Sequence, residues 1–219
     1  MKKILTTALI LTSFFSNAQP KGFGTSDPNA KIILDAVSAR FKTFKTVTAK
    51  FTLKIENSAG KTEGSKSGTV IMKGTKYHIN VTGQELFCDG VNIWTYDKSA
   101  NEVQITKWDN STNTITPQKM FTNFYDKDFL YKLNGESKEG KKTIQEIELT
   151  PYDKSKPFFK VLISIDKATK SFVRTKVFEK NGNRYTYTIT SLKANSPVAE
   201  SIFAFDAKKY PNVEQVDLR

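Results

Sequence analysis

The chain has 219 residues and a formal charge of +12, from 34 Lys and Arg against 22 Asp and Glu, with one cysteine and one histidine. One cysteine excludes an internal disulfide, and one cysteine with one histidine cannot supply a structural zinc site. The sequence also lacks a Gly-Lys-Ser phosphate loop, a Gly-x-Ser-x-Gly elbow and internal repeats, which removes the common nucleotide and hydrolase motifs.

Met1-Lys2-Lys3 opens a short basic start, followed by an apolar run from Ile4 to Phe15 and the small residues Ser16-Asn17-Ala18. This pattern predicts a secretory signal peptide over residues 1–18, cleaved after Ala18, because the run is too short for a spanning helix. Gln19 follows the cleavage point where a lipoprotein would need cysteine, so Cys88 is not a lipid anchor. Removal of Lys2 and Lys3 with no acid leaves the mature chain, residues 19–219, at +10 and read as a single domain. Arginine occurs only at 40, 174, 184 and 219. A nucleic-acid reader would favour arginine forks, so the charge reads first as a solvated lysine coat, with attraction to anionic headgroups or an acidic protein as the alternative.

Asp27-Pro28 supplies a helix cap and first-turn proline, and Ile33, Val37, Phe41 and Phe44 then recur at helical spacing. The period switches at Val47. Val47, Ala49, Phe51, Leu53 and Ile55 alternate with polar residues, which predicts a half-buried strand. Further strands are expected near residues 69–73, 76–82, 85–88, 91–96, 102–106, 143–150, 158–165, 171–179 and 184–192, with another over Phe203–Phe205. Turns such as Lys73-Gly74-Thr75-Lys76, Asp89-Gly90 and Asn181-Gly182 make the sheet mainly antiparallel. Between Trp108 and Gly135 the rhythm breaks, and Thr116-Pro117 can start a short helix with Met120, Phe121 and Phe124 on one face. About ten antiparallel strands curl or close, and two helices are available to cover the inner side. Pattern alone leaves open whether that space is filled by side chains or kept as a cavity.

No catalytic site is expected. Cys88 would need a base, and the only histidine, His78, lies in a strand whose neighbours Tyr77 and Ile79 point the other way. No pair of acids has the spacing for general acid and base roles, and no cofactor or metal is expected. In LFCDGVNIWTY, a two-residue turn at Asp89-Gly90 would pair Cys88 with Val91 and Leu86 with Ile93 on one side, leaving Phe87, Trp94 and Tyr96 on the other.

The order of elements resembles the periplasmic outer-membrane lipoprotein carrier family, LolA. The resemblance rests on one helix, Val47-x-Ala49-x-Phe51-x-x-x-Ile55, and Asp89-Gly90-x-x-Ile93-Trp94-x-Tyr96. It continues through the lid-opening Thr116-Pro117, Phe203-x-Phe205 and Tyr210-Pro211-Asn212-Val213. It implies an α+β, mainly β fold: an unclosed antiparallel barrel of about ten or eleven strands with a helical lid over a hydrophobic cavity. Phe41, Ile55, Tyr77, Ile79 and Leu86 match cavity positions. Phe51 and Leu53 share the apolar face with Ile55, while Cys88 and Ile93 share that of Leu86. Pro117, Met120, Phe121 and Phe124 would form the lid. The implied role is a periplasmic, monomeric, non-enzymatic chaperone that takes acylated lipoproteins from an inner-membrane ABC transporter to an outer-membrane acceptor. A lipid- or lipoprotein-sensing module of the same fold, acting through a protein partner, is the alternative. Lys73-Gly74 replaces the family's Arg-Pro, whose arginine holds the lid, and Asn212 stands where glycine is usual. Lysine lacks the planar fork, so Lys73 would latch the lid differently.

Overall fold

The structure, a computed structural model, describes residues 24–109 and 125–219. The expected signal peptide and the lid positions Pro117, Met120, Phe121 and Phe124 lie outside the described residues. Helix α1 (Pro28–Lys42) begins where the sequence predicts, with the Asp27 carboxylate accepting from Asn29 N at 2.8 Å. The other Asp27 carboxylate oxygen accepts from Leu133 N at 3.1 Å, and Asp27 N donates to Tyr131 O at 2.9 Å. The helix cap is thereby stitched to a strand more than 100 residues away.

Six strands follow: β1 (Val47–Glu56), β2 (Thr62–Lys73), β3 (Lys76–Val81), β4 (Gln84–Cys88), β5 (Asn92–Asp97) and β6 (Glu102–Lys107). After the short helix α2 (Tyr125–Asp128) come β7 (Phe129–Glu139), β8 (Lys142–Pro151), β9 (Phe158–Asp166), β10 (Ser171–Glu179) and β11 (Arg184–Ala194), and the chain ends with β12 (Glu214–Asp217). All twelve belong to one sheet, in the order β12-β6-β5-β4-β3-β2-β1-β11-β10-β9-β8-β7. Every pairing is antiparallel except β12 with β6, and β7 does not pair with β12, so the sheet is unclosed. The count exceeds the ten or eleven expected. β7 turns polar after Leu133 and carries a bulge at Asn134, and β12 is four residues with one partly buried side chain, so neither shows a sustained alternation.

The register defines an inner and an outer face. Across the sheet Leu53 stands opposite Tyr187, Tyr187 opposite Thr175, Thr175 opposite Ile163, and Ile163 opposite Ile147. Helix α1 covers part of this inner face: Ala30, Leu34 and Val37 join Ile147, Leu149 and Ile163 in one buried cluster. Tyr125 Oη donates to Asp35 at 2.7 Å, and Lys31 pairs with Asp35 at 3.0 Å, which ties α2 to α1.

The outer face of β3–β6 is covered by the chain's own tail. The expected strand over Phe203–Phe205 is instead a 3-10 turn, Glu200–Phe203, followed by extended chain at Ala204. Phe203 is fully buried, and Phe205 lies 5.7 Å from Phe87 and 5.9 Å from Tyr96, with Tyr210 stacked on it at 4.5 Å. An aromatic spacing of two suits a strand, but these rings fold over a sheet face and not along its edge. Asn212 has φ of +57°, a left-handed conformation that asparagine tolerates, which accounts for its place at a position where glycine is usual in the resembling family.

Beneath this tail sits Glu85, which pairs with Lys98 at 2.9 Å, faces His78 Nε2 at 3.2 Å and accepts from Tyr210 Oη at 3.2 Å. Burial alone would raise the Glu85 carboxyl. Lys98, His78 and Tyr210 outweigh it and hold the carboxyl below its ordinary 4.5, while burial and the nearby carboxylate push the Tyr210 phenol up to about 12. A folded value below the unfolded one means that the stabilisation is fully present above about pH 4.5 and is lost as pH falls through the folded value. Thermal unfolding measured across that window should show Glu85→Gln losing less stability on acidification than the wild type, with up to about one fewer proton taken up on unfolding.

Candidate functional site

The predicted cavity residues lie on one face, in two groups. Tyr77 and Cys88 are buried with Val47, Ala49, Val70 and Met72, and Phe41, Phe51, Ile79, Leu86 and Ile93 pack against them. Leu53 and Ile55 are not in this cluster. They sit further along β1, half-buried, between it and the cluster under α1.

Cross-strand pairing explains the first group. Met72 faces Tyr77, Tyr77 faces Cys88, and Cys88 faces Ile93, while one rung away Val70 faces Ile79 and Ile79 faces Leu86. The turn between β4 and β5 differs from the expected one. Asp89 N donates to Asn92 O, and the Asp89 carboxylate accepts from Val91 N and Asn92 N at 2.8 and 2.7 Å, so Gly90-Val91 form the tip. Cys88 therefore pairs with Ile93 and Leu86 with Thr95, not with Val91 and Ile93, and Val91 is 66% exposed at the tip. The cause is the asparagine-like turn chemistry of Asp89, which caps two amides and so moves the tip one residue onward. The shift is of even parity, so Leu86, Cys88 and Ile93 still share the inner side while Phe87 and Trp94 pair on the outer side.

The second group borders a stretch that sequence reasoning missed. On β11, Tyr185 faces Ile55, Tyr187 faces Leu53 and Ile189 faces Phe51, after which the register shifts and Leu192 faces Ala49. A bulge at Thr190 changes the phase of β11, so its inner residues read 185, 187, 189 and then 192. That break in alternation was the available signal. Leu53, Ile55, Val177, Tyr185, Tyr187 and Ile189 are all half-buried, and they join the two buried clusters into one apolar inner surface. Burial raises the Tyr187 phenol, as expected for a hydroxyl among apolar walls.

Two glycines shape this surface. Gly68 faces Phe51, and a Cβ there would lie 2.5 Å from the Phe51 ring and 2.9 Å from the carbonyl of Asn80. Gly64 faces Ile55, and its would-be Cβ has open space around it. One glycine is filled by a neighbour's ring, and the other leaves a gap in the wall.

Lys73, the candidate latch, pairs with Glu200 of the tail, as does Lys76 at 2.8 Å. The two lysines hold the Glu200 carboxyl down at about 2. They fasten the 3-10 turn to the β2–β3 hairpin. Cys88 is 0% exposed, with Sγ 3.9 Å from Thr75 O, and burial raises its thiol. His78 stacks on Phe87 at 4.3 Å on the opposite face. Among the described residues no group of three or more His, Cys, Asp and Glu could hold a metal ion.

An open sheet with an apolar inner face, one helix laid on it and a folded-back tail outside places the protein in the class of half-barrel scaffolds. The family profile described as outer membrane lipoprotein carrier protein LolA matches residues 42–206, and the chain belongs to that family. A relative from Cupriavidus necator, an outer-membrane lipoprotein carrier protein, is 26% identical over 219 residues, covering 96% of this chain and 97% of its own. One of the same name from Cupriavidus taiwanensis is also 26% identical, with the same coverage. An uncharacterized conserved protein from Thermus thermophilus shares the fold at a TM-score of 0.54 and 12% identity, over 86% of this chain and 99% of that one.

A buried thiol with a raised pKa reacts slowly. Cys88 should resist a thiol-specific chromogenic reagent at neutral pH and be labelled fully once urea unfolds the chain. Gly68→Ala should cost about 1–3 kcal/mol in urea unfolding, because the added methyl meets backbone on one side and the Phe51 ring on the other.

Proposed function

We propose that the protein binds the acyl chains of lipoproteins on its apolar inner face and carries them through the periplasm from the inner to the outer membrane. The observation that supports this most is the half-buried row formed by Leu53, Ile55, Val177, Tyr185 and Tyr187 between two closed clusters. A core that served only stability would bury these side chains fully. Left half-open, they offer an apolar wall that a flexible chain can complete.

An acyl chain in water costs about 0.8 kcal/mol per methylene, on the order of 10 kcal/mol for a chain of ordinary length, so unaided passage is very slow. A carrier must replace that water and still release its load. A one-layer wall suits both needs, since each half-buried residue contributes only part of a full burial energy. The names of the Cupriavidus relatives fit this role. Export, a periplasmic location, an inner-membrane ABC transporter as donor, an outer-membrane acceptor and the absence of catalysis belong to the same reading. So do a cleaved segment 1–18 and a single working domain over 19–219.

A fluorescent fatty acid titrated into the protein should gain intensity on binding. Leu53→Asp should weaken binding on the order of tenfold or more, because a carboxylate would enter an apolar wall. Absence of uptake by the wild type would contradict the reading. Native mass spectrometry of protein purified from its own periplasm should find stoichiometric triacylated protein bound. An empty inner face with a stable membrane-protein partner would instead favour the sensing role.

A further inference from the structure

Among the described residues, the outer face of β9–β11 differs from that of β3–β6 in having no tail over it, and it carries an unusual set of side chains. The register between β9 and β10 shifts at their far end: Lys160 faces Phe178 and Phe158 faces Glu179, which leaves Phe159 as the extra residue of a bulge. Phe158 is buried and stacks on Phe129, but Phe159 is turned outward and 50% exposed. Its ring lies 6.2 Å from that of Phe178.

Cations surround the Phe178 ring of this pair. Lys160 Nζ lies 4.5 Å from the Phe178 centroid, Lys176 Nζ 5.5 Å and the Arg184 guanidinium 5.8 Å. Among the described residues only Lys176 of the three has a carboxylate partner, Glu56 at 2.9 Å, and Lys54 shares that carboxylate at 3.2 Å. The neighbouring turns add more charge. Lys180 N donates to Pro157 O at 2.8 Å and Lys180 Nζ donates to the Lys154 carbonyl, which locks the β10–β11 turn against the lysine-bearing loop 152–157.

Phe159 is the half-exposed ring, and the cations gather on its neighbour Phe178, where each is attracted to the ring while the like charges repel one another. Like charges around one ring are held together against repulsion, and a half-exposed ring keeps its hydration cost. Both costs are relieved by one kind of partner. Against an anionic bilayer the ring enters the boundary between headgroups and acyl chains while the cations stay at headgroup depth. We infer that the Phe159–Phe178 corner, with Lys160, Lys176, Lys180 and Arg184, is a docking surface for an anionic phospholipid bilayer. The site lies on the face opposite Leu53 and Ile55, so docking leaves the inner face unobstructed.

The test is co-sedimentation of the full chain with phosphatidylcholine vesicles and with vesicles of equal phosphatidylcholine and phosphatidylglycerol. The wild type should pellet with the anionic vesicles at low ionic strength, stay in the supernatant with the neutral ones, and be released as salt is raised. Lys160→Ser should weaken partition about fivefold, in line with one surface cation. Phe159→Ser should weaken it without changing the salt dependence, because it removes the inserted group and no charge. Both substitutions lie at half-exposed or exposed positions, and unchanged thermal unfolding and fatty-acid uptake would show that fold and inner face are intact. Equal partition of the wild type with both vesicle types overturns the proposal. So does anionic-vesicle binding that Phe159→Ser and Lys160→Ser leave unchanged, or retention on an immobilised acidic polypeptide with none on vesicles.

Discussion

The pairing of β1 with β11 is the constraint on which the rest depends. Ten consecutive residues, Val47–Glu56, bond to a strand that begins at Arg184 and, on their other side, to β2. Every other antiparallel pairing joins strands adjacent in sequence, so each wing of the sheet is a meander that could form locally. Of the strand pairings, only the β1–β11 seam joins the two wings, and only there does the apolar face of one continue into that of the other. Contacts of such sequence separation carry a loop-closure entropy cost, which the burial along the seam and within the wings must offset.

The seam also decides what kind of inner surface results. The sheet does not close over this surface. Instead α1 covers one wing through Leu34 and Val37, and its Phe41 and the following Phe44 reach the other, leaving the seam residues only partly covered. The outer face is treated unequally as well. The tail seals β3–β6 with rings and the Lys73–Glu200–Lys76 clamp, while the outer side of β9–β11 presents Phe159 beside the cation-ringed Phe178.

How much of this was legible depended on which force placed each element. The Val47–Ile55 alternation was clear because burial on one face alone sets it, and Asp27-Pro28 was clear because the cap is local chemistry. Leu86, Cys88 and Ile93 came out on the correct face even though the turn register was wrong, since a shift of even parity preserves sidedness. What escaped was set by tertiary packing. Phe203 and Phe205 have strand spacing but lie across a sheet, β12 exists only because β6 offers an edge, and Tyr185 and Tyr187 become part of the wall through a bulge whose position depends on its partner strand.

An unclosed sheet leaves two lateral strands, and such strands invite other chains to add on. In this protein the four residues of β12 run parallel along β6 and occupy its bonding groups. At the opposite end the segment that starts α1 does similar work: Asp27 takes the Tyr131 carbonyl and the Leu133 amide, and Ser26 Oγ lies 3.4 Å from Tyr131 N. The helix cap is thus also a stopper on β7. Each margin of the sheet carries a short segment, β12 or Ser26–Asp27, that takes up bonding groups of the longer strand beside it.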